Sequence, residues 1–219
     1  MIHVDRAGRL SEFDEFTKKN RTAEWEGFSN PTSETHELYL KCREELLDQQ
    51  NGLSAYTERY LRNKKLHIDH FRKRDLFPTL KFEWNNLIVD ERDNHDYGAG
   101  HKDNVVTDVA DYERIIDPVA EDPCDYLTYL MNGEIVPKRG LKESDRAKAE
   151  FTIRAFNLNA PSLQKRRSDL LAAVTNCLSL SDADIRRSFA SQGFVTLVDF
   201  VLENKRSLYN ICEDRLSQC

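Results

Sequence analysis

The sequence predicts an α+β fold, a small extended element set inside a mostly α-helical body. Three observations predict it. Apolar residues recur at helical spacing from about residue 33 to 50 and again through much of the chain beyond 143. Between them, short pieces within 53–70 read as the two arms of a hairpin, and WNNLIV at 84–89 reads as a buried element. The chain has 219 residues, 39% hydrophobic and 32% charged, enough to bury a core and too apolar overall for a disordered chain. No apolar run approaches the roughly 18 residues of a membrane span, so a membrane protein is excluded. The opening stretch MIHVDRAGRLSEFDEF mixes charges of both signs where a secretory signal needs apolar residues. Five scattered cysteines with no CxxC pair argue against a disulfide framework or a cysteine zinc site, and for a reducing cytoplasm.

In chain order, NPTSE at 30–34 supplies a turn and helix-capping residues. Leu38, Cys42 and Leu46, four apart with Leu47 beside them, mark one helical face, and Gly52 follows where a C-terminal cap belongs. SAYTERY and KLHID within 53–70 are expected to form the two arms of a hairpin around Arg62-Asn63-Lys64. Residues 71–83 read as loop around Pro78, WNNLIV at 84–89 as a buried element, and 90–104, with Gly98 and Gly100, as a loop leading into a short helix. The C-terminal half is expected to be mainly helical. Ala147, Phe151 and Ala155 share a face, Asn159 and Pro161 open a further helix, and two more helices fall near 182–190 and 194–216. The organisation expected is an N-terminal helical segment (1–52), an extended element with its helix (53–110) and a C-terminal helical region (111–219), intertwined rather than cleanly separated.

The net charge of -6 conceals an asymmetry. Residues 58–82 carry eight basic and three acidic side chains, and residues 83–125 carry three basic and thirteen acidic ones. A basic segment followed at once by an acidic one suits a phosphate-binding strip beside a cation-attracting pocket.

Four of the six histidines lie between 67 and 101, beginning with His67-Ile68-Asp69-His70. Adjacent strand residues point to opposite sides, so Asp69 could face a metal while His70 faces a water. Phosphodiester hydrolysis needs both, a base for the water and a cation for the charge on the phosphoryl group. Asn86-Leu87 follows, and then His95, His101 and Lys102.

LLDQQNGLSAYTERYL at 46–61, HIDHFRKRDLFP at 67–78, WNNLIV at 84–89 and HKDN at 101–104 resemble the HNH endonucleases, whose fold is the ββα-metal finger. The resemblance is nearest to the PtuB type, nuclease effectors of Septu and retron-linked anti-phage systems. ERIIDPVAEDPCDYLTYLMNGEIVPK at 113–138 and TIRAFNLNAPSLQKRR at 152–167 extend it. By position it implies Asp69 as a metal ligand, His70 as general base and Asn86 as the residue that orients His70. His101 becomes the second ligand of a Mg²⁺ or Mn²⁺ ion, with His95 as the other candidate. Arg72, Lys73 and Lys102 become phosphate-holding residues. Relatives carry two cysteine pairs that bind a structural zinc, and here the first pair falls on Ser54 and Thr57 and the second near Glu91 and Tyr97. Hydroxyls are poor zinc ligands, so a structural zinc is not expected.

The resemblance also implies a PtuA-type ATPase of the SMC/ABC class as partner, with a reverse transcriptase and its RNA-linked DNA in retron assemblies. The chain carries no GxxxxGK[ST] run of its own. The helical end at 194–219 is a candidate docking surface. The substrate implied is DNA or a structured RNA such as tRNA. The alternative is an inactive HNH-fold subunit kept for binding.

Overall fold

The computed structural model describes residues 1–62 and 64–206. Three helices open the chain: α1 (Ser11–Lys19), α2 (Trp25–Ser29) and α3 (His36–Gln49). Strands β1 (Leu66–His70) and β2 (Leu87–Glu91) follow, and then α4 (Ala99–Val105). The remainder comprises a second strand pair, β3 (Leu127–Tyr129) and β4 (Ile135–Pro137), and four helices. These are α5 (Glu143–Ala155), α6 (Pro161–Thr175), α7 (Asp182–Phe189) and α8 (Val195–Glu203). The chain is therefore mixed α and β, with two small antiparallel sheets among the described residues. No helix among them is long and apolar enough to cross a membrane.

The expected hairpin within 53–70 does not form. Among the described residues before β1, the only strand-like pairing is an isolated bridge, Leu53 to Tyr60. Residues 54–59 close on themselves instead, through Ser54 N–H to Arg59 O at 2.9 Å and Glu58 N–H to Ser54 O at 2.9 Å, with Glu58 at φ 58°. The partner of β1 is β2, with Ile68 opposite Val89, Asp69 opposite Ile88 and His70 opposite Leu87. The physical reason is burial. In β2 Leu87, Ile88 and Val89 are all fully enclosed, so this strand needs a neighbour with both faces covered.

That sheet lies between two apolar cores. Ile68, Leu87 and Val89 belong to an aromatic cluster with Phe13, Trp25, Phe28 and Trp84. Ile88 belongs to the larger core, with Tyr56, Phe71, Phe156 and residues of α5 to α8. Strand alternation thus sends odd and even positions of the hairpin into different surroundings. Helices α1 and α2 lie in the expected N-terminal helical segment (1–52), where no helical period had placed them. Each contributes aromatic anchors, Phe13 from α1 and Trp25 and Phe28 from α2. The helices expected near 33–50, 143–156, 161 onward and 182–190 are present as α3, α5, α6 and α7. Of the helix expected at 194–216, α8 covers Val195–Glu203 and is capped at Asn204, and residues 207–219, with Cys212 and Cys219, lie outside the described residues.

Candidate active site

Asp69 and His70 end β1 and both line a cleft of about 570 Å³ beside α2. Asp69 takes the side of the larger core. Its Oδ2 accepts hydrogen bonds from the Tyr56 hydroxyl at 2.7 Å and the Lys102 ammonium at 3.1 Å. Burial alone would raise this carboxyl; the Lys102 and His67 charges and the Tyr56 hydroxyl outweigh it and hold Asp69 below its ordinary value. Both hydrogen bonds land on Oδ2, and among the described residues none falls on Oδ1.

His70 takes the opposite side, its ring set edge-on to Trp25 with centroids 4.4 Å apart. Its Nε2 lies 2.9 Å from the Lys81 carbonyl oxygen. A carbonyl only accepts, so Nε2 carries the proton and Nδ1 keeps a lone pair. Burial pushes the imidazole down to about 4, against smaller upward pulls from the Lys81 carbonyl and Asp69. The ring is therefore neutral at neutral pH.

Asn86 does not touch the ring it was expected to orient. Its Oδ1 accepts from Arg72 N–H at 2.7 Å, and its Nδ2 donates to the carbonyls of Arg72 at 3.0 Å and Leu80 at 3.2 Å. It pins the two arms of the 71–86 loop, and the carbonyl next to Leu80 holds His70. Asn86 thus acts on His70 through backbone.

The remaining site residues fall less simply. His101 does not line the cleft with Asp69, and its Nδ1 lies 2.9 Å from the Ala155 carbonyl oxygen on α5. His95 is exposed and packs where α4 begins; a side chain at Gly100 would meet its ring. Lys102 is not a surface phosphate holder. Its ammonium is fully enclosed, donating to Asp69, to the His70 carbonyl at 2.9 Å and to the Phe71 carbonyl at 3.1 Å. A second carboxylate, Asp103, stands 3.2 Å from it. Arg72 turns away to Asp117 at 3.1 Å. Of the three basic residues expected to hold phosphate, only Lys73 lines the cleft, and its ammonium rests on the carbonyls of Asp103 and Val106.

His67, Arg74, Arg92 and Asp103 line the cleft as well. His67 was legible in principle, because residues two apart on a strand share a face and His67 therefore stands beside Asp69. Nothing local to Arg74, Arg92 or Asp103 marks them, for they arrive from separate loops and α4.

Ser54 and Thr57 are both buried. Thr57 N–H donates to Ser54 Oγ at 3.2 Å, and Asp90 nearby accepts from Ala99 N–H at 3.0 Å. Arg59 bridges Glu91, at 2.7 Å, and the Tyr97 hydroxyl.

Among the described residues no three of the His, Cys, Asp and Glu side chains stand together as a metal cage. Magnesium asks for less, since one or two carboxylates, waters and a substrate phosphate commonly complete its shell. Asp69 lines the cleft and His101 does not. Chemically the arrangement offers a neutral base, a fixed carboxylate and a buried ammonium that neutralises the carboxylate from behind. No family model matches the chain, and no curated protein sequence matches it.

Proposed function

We propose that this chain hydrolyses phosphodiester bonds as an HNH-type endonuclease. The observation that carries the reading is the fixing of His70: Nε2 is committed to the Lys81 carbonyl, Nδ1 keeps its lone pair, and the adjacent Asp69 opens onto the same cleft. The order of the surrounding elements supports it, two antiparallel strands followed by a short helix whose Lys102 reaches back to the end of β1. In the reaction His70 Nδ1 takes the proton of the attacking water, the water oxygen bonds to phosphorus as the P–O bond to the leaving oxygen breaks, and that oxygen takes a proton from solvent. Asp69 and the Lys102 tether keep the end of β1 rigid, so the base holds its aim. A Mg²⁺ or Mn²⁺ ion bound at Asp69 Oδ1 would supply positive charge to the phosphoryl oxygens. His101 takes no part in this version of the site. The wider reading is that of the resemblance: a cytoplasmic effector of a prokaryotic anti-phage complex with a PtuA-type ATPase and, in a retron setting, a reverse transcriptase with its RNA-linked DNA.

The test is cleavage of plasmid DNA and of total tRNA by the purified chain, alone and with its ATPase partner, with and without Mg²⁺ or Mn²⁺. His70→Ala should lose at least about 10²-fold in rate, the usual contribution of a general base. Undiminished cutting by His70→Ala would remove the assignment. A calorimetric titration of the chain with Mn²⁺ should give a binding heat that Asp69→Asn loses. Binding without cutting by the partnered protein would favour the inactive, binding-subunit reading.

A further inference from the structure

The cleft at Asp69 and His70 does not end there. It shares Glu26, Ser29, Tyr39 and Arg92 with a second depression of about 670 Å³ along α3 and the start of β1. The two form one continuous groove whose charge changes along its length. At the end holding Asp69, the acidic side chains Glu26, Asp75 and Asp103 join it against Lys73, Arg74 and Arg92. At the far end Glu26 is the single acidic wall residue against Arg43, Lys64, Lys65 and Arg92.

Many of these cations already have partners. Arg74 pairs with Glu26, and Lys64 lies 3.2 Å from Glu91. Arg43, Lys65 and Arg92 are different: among the described residues none of them is in an ion pair, and Lys65 and Arg92 are exposed. They come from α3, from the segment before β1 and from the end of β2, so only the fold brings them to one wall. In a chain of net charge -6, three unpaired cations gathered in one groove run against the overall balance. Their heads have water or a bound anion as partners, and a chain of phosphates is the anion whose charges are spaced along a groove.

We propose that Arg43, Lys65 and Arg92 form a phosphate track for one phosphodiester strand, leading away from the reacting bond at His70. The inference rests on the nuclease reading and adds to it a direction: the strand leaves the site along α3. Acidic residues crowd the end where a cation and the reacting phosphate meet, and the basic wall takes the phosphates that follow. The contacts are to backbone, so the track selects for a polyanionic strand without reading its bases.

The test measures binding apart from cutting, in the full chain carrying His70→Ala. Fluorescence anisotropy with a short labelled oligonucleotide, single-stranded and duplex, DNA and RNA, gives the dissociation constant across a salt series. Adding Arg43→Ala, Lys65→Ala and Arg92→Ala together should weaken binding by about tenfold or more and flatten the log–log salt slope by about 2. The pair Arg139→Ala and Lys142→Ala, exposed on the turn before α5, should change neither by a comparable amount. Equal affinity and slope in the triple variant would overturn the track alone and leave the nuclease reading standing. An equal loss in the distant pair would overturn it too, since net charge and not place would then govern binding. A His70→Ala chain that binds no oligonucleotide at any salt would sink the nuclease reading and the track with it. Matching melting temperatures among the variants check that the fold is intact, and the single reversal Lys65→Glu repeats the comparison with less perturbation.

Discussion

Lys102 shows how one side chain can fix a site without entering it. All of its ammonium contacts are internal, with Asp69, Asp103 and two carbonyls at the end of β1. Burial would lower its pKa, and the charges of Asp69 and Asp103 outweigh this and raise it. Breaking a buried ion pair leaves one charge uncompensated, at a cost of about 3–5 kcal/mol. Lys102→Met should therefore lower unfolding stability by about that amount in urea titrations. Adding Asp69→Asn to it should restore part of the loss, because the stranded charge is then gone. A Lys102→Met chain as stable as the parent would show that the pair contributes nothing. At this scale the sequence offered the Asp69–His70 pair as a local pattern and its resemblance named Asn86 to orient the ring, but Asn86 hydrogen-bonds the backbone of Arg72 and Leu80 instead. The sequence misplaced Lys102 for an equally local reason. A lysine in a polar loop reads as solvated, and only the packing of α4 against β1 reveals it as enclosed.

Elements were legible where a period could be counted and missed where a partner lay far off in sequence. The apolar spacing of α3, α5 and α6 was sufficient by itself. The pairing of β1 was not, since KLHID could face either SAYTERY or NLIVD, and the choice is made by two cores closing on β2. The β3–β4 pair escaped notice for the same reason. It is held from outside by Arg167 of α6, whose Nε donates to the Gly133 carbonyl at 2.6 Å, and by Asn159, whose side chain spans the N–H and carbonyl of Ile135 at 2.8 Å each. For α4 the deciding position is Gly100. A Cβ there would stand 2.1 Å from the Asn94 carbonyl oxygen, which belongs to backbone that cannot simply swing aside. Alanine normally favours a helix over glycine by about 1 kcal/mol. Here the clash should win, so Gly100→Ala is expected to lower stability by about 1–3 kcal/mol. It should also shift α4 enough to disturb the Lys102 tether. Thermal unfolding decides the sign, and a raised melting temperature would mean that the 94–95 loop yields freely.

Across the whole molecule the two ends of the described chain meet at one enclosed carboxylate. Glu58 accepts from the Met1 ammonium at 2.7 Å, from the Tyr129 hydroxyl of β3 at 2.9 Å and from the Thr196 hydroxyl and N–H of α8 at 2.7 and 3.0 Å. Its own carbonyl accepts from Phe194 N–H at 2.9 Å. Four segments distant in sequence thus share one charge. Burial would raise the Glu58 carboxyl, but the Met1 ammonium and Thr196 outweigh it and hold the carboxyl below its ordinary value of 4.5. The sign follows from proton counting. Below pH 4.5 the unfolded chain takes up the Glu58 proton before the folded one does, so the stabilisation is complete above that value and is lost as pH falls through the folded pKa. Glu58→Gln removes the charge at every pH. It should cost about 3 kcal/mol at neutral pH, the lower end for a broken buried pair. Its melting temperature should then converge on that of the parent as the pH falls below 4.5 and through the folded pKa of Glu58, where the parent loses the same interaction. A gap that stayed constant from neutral to acid pH would assign the effect to packing. A gap that closed would identify this junction as the place where acid first loosens α8 and β3 from the loop beside the Asp69 cleft.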